Sequence, residues 1–344
     1  LTLGVLRDYL PMIRELDLRT PPRWDPPRAA PEPPLSDSPK PLPARANREQ
    51  YQLYYGYFHA HTSLSDGVGE PKHAYSMARD EIGLDFFAVT DHACLIAFWP
   101  WDRKWSRTRR TADKFNKDGQ FVALAGFEWS SPTLGHVNVL GTRSFTTVVS
   151  SPTMSDLYAW IAKHPDAVCR FNHPGYADKL KIEFEHFALS HKAIDQMVAM
   201  EQFNKQRGIQ HFFRLGYKKG KRHLDEAIQR GWFVGVVGGQ DNHKRNWGKR
   251  NDYRVGAWAT SLTRKGILDA YRARRTFATE DGNLTLSFKA NGAEMGSRLQ
   301  PGALSFRVSL EDGNSEDFSR AQLYKRGELF KEWSLGSASE TLTV

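Results

Sequence analysis

Between Tyr54 and Val237 the chain repeats short apolar runs, and several of them stop at a histidine or a carboxylate. The runs cover residues 54–59, 84–90, 121–127, 137–140, 167–171, 198–203 and 232–237. Runs of this length bounded by turn residues suit strands buried on both faces. Helical patterns lie between several of them, at 71–82, 155–162 and 220–230. The first opens on Pro71, which an initial helical turn tolerates. Strands alternating with helices predict an α/β fold with a mostly parallel sheet, and about seven such strands fit a closed or distorted barrel better than a sandwich.

The flanks differ in character. Residues 1–20 suggest a short amphipathic helix around Leu6, Leu10 and Ile13. Residues 21–43 carry ten of the 18 prolines and read as an extended arm, because proline cannot sit inside a helix or sheet. After Asn283, residues 284–288, 304–310 and 321–324 alternate apolar and polar side chains between Gly, Asn and Asp turns, which predicts a small antiparallel β appendage. The expected division is therefore 1–50 for the N-terminal segment with its Pro-rich arm, 51–283 for the barrel and 284–344 for the β-rich region.

Composition narrows the function. No apolar run approaches ~20 residues, so no membrane span is expected. No basic segment with a cleavage site precedes the first runs, and localisation stays open between export and cytoplasm. The two cysteines, Cys94 and Cys169, form no CxxC pattern and read as buried small hydrophobes. The net charge is +9, with basic stretches at 103–110, 214–222 and 244–254. The first two read as solvated surface. The third follows a candidate metal motif, so Lys244, Arg245 or Arg254 could clamp an anionic substrate. No nucleic-acid-binding signature is present, which leaves nucleic acid as a less favoured partner than a small phosphate ester.

The chemistry sits at the ends of the runs. His59 and His61 share one face of an extended segment and can bind one cation. Asp66, in Ser65-Asp66-Gly67, offers a carboxylate in a turn. Asp91 and His92 follow a strand, where α/β enzymes place catalytic groups; Asp91 could ligate or orient a ligand. Glu128 ends an apolar strand and is costly to bury without a cation or a partner. His136 begins the next run. His173 is held by the turn of Pro174 and Gly175, and Asp241 and His243 close the last motif, Gly238-Gly239-Gln240-Asp241-Asn242-His243. These use six of the 12 histidines. The others, His73, His164, His186, His191, His211 and His223, read as ordinary surface or core residues.

Taken in order, HxH, SDG, TDH, a strand-ending Glu, NHPG and GGxDxH resemble the polymerase and histidinol phosphatase (PHP) family of metallohydrolases. Residues 135–141 (GHVNVLG), 274–279 (RRTFAT) and 291–296 (NGAEMG) resemble its carbaryl-hydrolase-like branch. The resemblance runs from about Tyr54 to Met295. It implies a distorted seven-stranded (β/α) barrel with two or three divalent ions (Zn, Mn or Fe) at the strand C-termini. His59, His61, Glu128 and Asp241 would bind the first. Glu128 would bridge to a second held by His136 and His173, and Asp66, His92 and His243 would hold a third. Some relatives carry histidine near Asp66; a carboxylate there favours Mn or Fe over Zn.

Water on such ions loses its proton near neutral pH, and the hydroxide would attack phosphorus or a carbonyl carbon. Glu128, Asp91 and Asp241 are the candidate catalytic carboxylates. The first reading is a phosphoesterase. The alternatives are a carboxylester, carbamate or amide hydrolase at the same site, a nuclease, and a non-catalytic metal-stabilised binding module.

Overall fold

The computed structural model describes residues 50–98, 101–175, 180, 182–204 and 223–344, with backbone alone at 101 and 102. The expected N-terminal helix, the proline-rich arm, the basic stretch at 214–222, His211 and the first residues of the 220–230 helix lie outside them. The described residues fall in one unit, Arg45–Val344.

Aromatic side chains favour extended backbone, and β1 (Gln52–Tyr57) carries three tyrosines. It pairs in parallel with β2 (Phe86–Val89), and β2 in parallel with β3 (Val122–Ser131). Gly56 lets β1 approach β2 closely, since a Cβ there would strike the Phe86 carbonyl. Between β1 and β2 lies α1 (Pro71–Ser76), extended by a π turn at Met77–Glu81. A short helix, α2 (Ala93–Ile96), and a long one, α3 (Trp101–Phe115), follow β2. After β3 come β4 (Gly135–Leu140), α4 (Met154–Ala162), β5 (Val168–Asn172) and β6 (Met197–Phe203). Next are α5 (His223–Gln229), β7 (Gly235–Gly238), β8 (Arg254–Ala259), α6 (Arg264–Arg272) and β9 (Thr276–Thr279). Thr153 caps α4 by accepting from Asp156 N while Asp156 accepts from Thr153 N, which satisfies two amide donors at once.

These nine strands form one sheet in the order β7-β6-β5-β4-β3-β2-β1-β8-β9. The two edge strands approach each other: Thr276 Oγ1 in β9 donates to Val236 O in β7 at 3.1 Å. The result is a nearly closed barrel, the expected α/β architecture. The directions differ from expectation. β3–β4, β4–β5, β1–β8 and β8–β9 are antiparallel, so the sheet is mixed rather than mostly parallel. Chain length explains the first case. β3 runs on to Ser131 and β4 starts at Gly135, which leaves room for a tight turn but not for the crossover of a dozen or more residues that a parallel neighbour needs.

Alternate residues of the strands build two cores, as the period of two requires. One gathers Phe58, Phe86, Ala88, Val122, Leu124, Val198, Val237 and Val255 against Ile267, Leu268 and Tyr271 of α6. The other packs Tyr57, Phe87, Val89, Phe121 and Ala123 against Ala74, Tyr75 and Ala78, and against Ala112 of α3. Burying each large apolar side chain stabilises the fold by about 1.5–3 kcal/mol.

A second sheet follows Asn283, with β10 (Leu284–Ala290), β11 (Ala293–Glu294), β12 (Phe306–Asp312) and β15 (Ser339–Thr343) in the order β11-β10-β12-β15. A separate hairpin pairs β13 (Arg320–Lys325) with β14 (Glu328–Ser334). Tyr55 Oη and Trp258 Nε1 donate to the carbonyls of Leu284 and Leu286, tying β10 to the barrel wall.

Candidate metal centre

Strand direction decides which residues meet. β1, β2, β5 and β7 present the segments just beyond their C-terminal ends at one rim: His59 and His61, His92, His173, and Asp241 and His243. β4 runs the other way, so its first residues reach the same rim. Its register sets His136 opposite Ser130 on one side and Asn172 on the other, and sets Asn138 opposite Glu128. The segment after β1 is sewn between its neighbours. Thr90 N donates to Ala60 O, and His61 N donates to Asn242 O, both at 2.8 Å. Asn138 Nδ2 donates to Phe58 O at 2.7 Å.

All nine candidate ligands converge there. Glu128 lies at the centre with no exposure. Its oxygens stand 3.1 Å from His59 Nε2, 2.8 Å from His92 Nδ1, 3.2 Å from His136 Nδ1, 3.6 Å from His173 Nε2 and 3.7 Å from His61 Nε2. Asp241 Oδ1 lies 3.1 Å from His61 Nε2 and 3.4 Å from both His59 Nε2 and His243 Nδ1. At the outer edge Asp66 Oδ1 lies 3.6 Å from His92 Nε2 and 3.4 Å from His243 Nε2. Four overlapping groups have their donor atoms mutually within 4.8 Å: His61, Asp66, His92 and His243; His59, His61 and Asp241; His59, Glu128 and His173; and His92, Glu128 and His136. His173 and Asp241 hold φ values of 29° and 46°, strained for residues with a Cβ and common where a structure over-determines a functional position.

The donors suit divalent cations. His61 is fully buried, its Nδ1 makes no hydrogen bond, and its Nε2 faces Asp241 Oδ1 at 3.1 Å without hydrogen-bond geometry. A buried polar atom without a partner is costly. Burial and the neighbouring His92 push its pKa down to about 3, leaving the neutral imidazole that metal binding requires. Burial opposes the charge of Glu128, but His136, His92 and His59 hold its carboxyl well below the usual range. Burial likewise opposes protonation of His59, yet Asp241, Glu201 and Glu128 raise its pKa, a concentration of negative charge that would favour a metal cation in the proton's place.

The sequence reading missed Glu201. It lies in β6 with no exposure, and its carboxylate stands 3.0 Å from His59 Nδ1. It accepts from Arg170 Nη2 at 3.1 Å, His173 N at 2.9 Å and Asn204 Nδ2 at 3.0 Å. Glu201 thus fixes the ring of His59 and the backbone of His173, while His59 and Arg170 help hold its own pKa, against burial, at about 2. Gly239 makes room for it, since a Cβ there would collide with Glu201 Oε1. The signal was available: an isolated acid in an apolar run, as at Glu128. Ser130 and Asn172 were also missed; Ser130 Oγ lies 2.6 Å from His92 Nδ1, and Asn172 Nδ2 donates to Glu128 Oε1 at 2.7 Å.

Asp91, the remaining candidate carboxylate, is buried and makes three hydrogen bonds to the loop after His61. Its carboxylate accepts from Thr62 N at 2.6 Å, Thr62 Oγ1 at 2.7 Å and Ser65 Oγ at 2.5 Å. It braces the loop that joins His61 to Asp66, which fits the orienting role. Arg254 pairs with Asp252 at 3.5 Å and lies against Gly282, while the stem of Arg245 lies against Gly69. His164 stacks on Trp160 and bonds Ser144 Oγ at 3.0 Å, an ordinary structural histidine. No helix among the described residues is long and apolar enough to cross a membrane.

Residues 99–170 match a family described as "Protein of unknown function (DUF3604)"; the stretch holds Glu128 and His136 but is well under half of the chain. No curated protein matches the sequence. Among solved structures, a two-domain protein from Bacteroides vulgatus ATCC 8482 containing a predicted PHP-like metal-dependent phosphoesterase shares the fold. Its TM-score is 0.50 at 15% identity, over 86% of this chain and 96% of that one. PsfC from Pseudomonas syringae PB-5123 aligns with a TM-score of 0.43 at 14% identity, over 66% of this chain and 91% of that one.

Proposed function

We propose that this chain is a metal-dependent hydrolase of phosphate esters. The observation that carries the reading is Glu128, one buried carboxylate within 2.8–3.7 Å of imidazole nitrogens from five histidines. A carboxylate has two oxygens and can serve two cations at once. In this reading His59, His61 and Asp241 hold one ion with Glu128, His136 and His173 hold a second with it, and Asp66, His92 and His243 hold a third. The PHP-like phosphoesterase that shares the fold supports the phosphoester choice.

Divalent cations bound here supply Lewis acidity toward a phosphoryl oxygen and acidify water. The protein supplies position. Glu201 aims the His59 ring, Asn172 and Ser130 fix Glu128 and His92, and Asp91 holds the loop that ends at Asp66. The side chains of Asp66 and His243 are 47% and 26% exposed, so this edge of the cluster faces solvent and admits substrate. A cysteine nucleophile has no support, because burial raises the pKa of both Cys94 and Cys169.

The same site suits attack on a carbonyl carbon, and the carbaryl-hydrolase-like motifs make ester, carbamate or amide hydrolysis the second reading. Elemental analysis of protein purified without added metal is the first test. Rates on 4-nitrophenyl phosphate, bis-4-nitrophenyl phosphate and 1-naphthyl carbamates, before and after chelation, are the second. The expected result is bound divalent metal and phosphate turnover that chelation abolishes, with Glu128→Ala losing both metal and turnover. Faster carbamate turnover would select the second reading. Full turnover in Glu128→Ala would reject both.

A further inference from the structure

The basic stretch at 103–110 is exposed at Arg103, Arg107 and Arg110, as expected of a solvated surface, and it also lines an open groove. Its volume is about 690 Å3, with Arg103, Lys104, Arg107 and Arg110 of α3 along one wall and Ser63 and Leu64 beside them. Ser63 and Leu64 belong to the loop that carries His61 at one end and Asp66 at the other, so the groove adjoins the metal-ligand cluster along the chain. Two contacts fix the helix there. Arg107 Nη2 pairs with Glu70 Oε1 at 2.8 Å, which ties α3 to the end of the same loop. Lys104 Nζ donates to Leu95 O at 2.9 Å, which ties it to α2, the helix that follows His92.

Positions 103, 107 and 110 recur at helical spacing on one face, and span about 10 Å at 1.5 Å per residue. Four cations along one groove repel each other, and each gains from an anion placed among them. Among the described residues Glu70 is the one carboxylate within 4.0 Å of any of the four, so the site holds excess positive charge. Guanidinium groups bind phosphate in paired hydrogen bonds. A groove of this volume is of ordinary size for a small ligand.

We infer that Arg103, Lys104, Arg107 and Arg110 bind a second anionic group, a phosphate, of a small substrate whose reacting ester lies at the Glu128 cluster. The inference rests on the hydrolase reading and narrows it to substrates with two separated phosphates. Arg103 and Arg110 set this preference without touching the reacting centre.

The test compares fructose 1,6-bisphosphate with fructose 6-phosphate, used as binding probes in calorimetry at low salt on the metal-replete protein. The variant is Arg103→Glu combined with Arg110→Glu, both exposed positions on α3. Wild type is expected to prefer the bisphosphate by about tenfold or more, as charge-assisted pairs allow, and the variant to lose that preference. Its melting temperature should stay within about 2 °C of wild type, as for surface changes, and its rate on 4-nitrophenyl phosphate, which has one phosphate, within about twofold. A preference kept by the variant, or absent from wild type, would overturn the inference. Tighter binding of octathymidylate than of the bisphosphate would also overturn it, assigning the cations to a polynucleotide backbone. Loss of the preference in the variant, with no turnover of any ester by wild type, would support the groove and reject the hydrolase reading alone.

Discussion

Replacing Glu201 with glutamine separates two jobs that one carboxylate performs. The glutamine keeps the volume and one oxygen but removes the charge. Arg170, 1% exposed, then keeps a buried guanidinium without its anion. Its Nε and Nη1 already lack hydrogen-bond partners, so the rest of the guanidinium offers little compensation. Breaking a buried pair from one side costs about 3–5 kcal/mol. The second job is the contact with His59 Nδ1 at 3.0 Å, which fixes the ring and its tautomer. Losing the carboxylate behind a ligating histidine costs roughly 10–100-fold in metal affinity. Adding Arg170→Met removes the stranded charge, so the double variant should regain most of the stability but not the affinity. Thermal or denaturant unfolding reads the first quantity, and competition against a chromophoric chelator reads the second. If Glu201→Gln binds cations within about twofold of wild type, or if Arg170→Met restores both quantities together, then Glu201 does not act through His59.

Three further outcomes follow from the same geometry. Gly239→Ala would drive a methyl group into Glu201 Oε1 beside His59, and should cost about 1–3 kcal/mol together with metal affinity; unchanged metal content would refute the close packing. Asp91→Ala strands three buried or half-buried donors of the Thr62–Ser65 turn and should lower stability by about 1–3 kcal/mol; because Asp66 closes that loop, metal affinity should fall too, and an unchanged melting curve would refute the bracing role. Asp85 is held above the usual carboxylate pKa by burial while accepting from Tyr55 N at 2.8 Å. Its folded form therefore resists ionisation, so Asp85→Asn should stabilise the protein at neutral pH. That gain should vanish as pH falls through the raised folded value into the ordinary carboxylate range, where Asp85 takes its proton; an equal gain at all pH values would refute this cause.

The linear sequence determined the local pieces. Apolar runs ending in His59-Ala60-His61, Asn172-His173-Pro174-Gly175 and the 238–243 motif announce strand ends with candidate ligands, because side-chain period and turn chemistry are properties of neighbours in the chain. Glu128 was legible for the same reason, as a lone acid in an apolar run, and the same rule applied to Met197–Phe203 would have found Glu201. The nine residues between the runs at 121–127 and 137–140 are too few for a parallel crossover, a signal the expectation of a mostly parallel sheet passed over. The tertiary structure alone decided what those groups face. Asp91 and His92 are adjacent in sequence, yet one braces a loop while the other joins the cluster, because a fixed backbone sends the two side chains in different directions. Arg170 and Glu201 lie 31 positions apart and meet through the pairing of β5 with β6. A helix of basic residues reads as solvent-facing by composition, and it is; that it also walls a groove follows from the contacts with Glu70 and Leu95 that pin it beside the ligand-bearing loops.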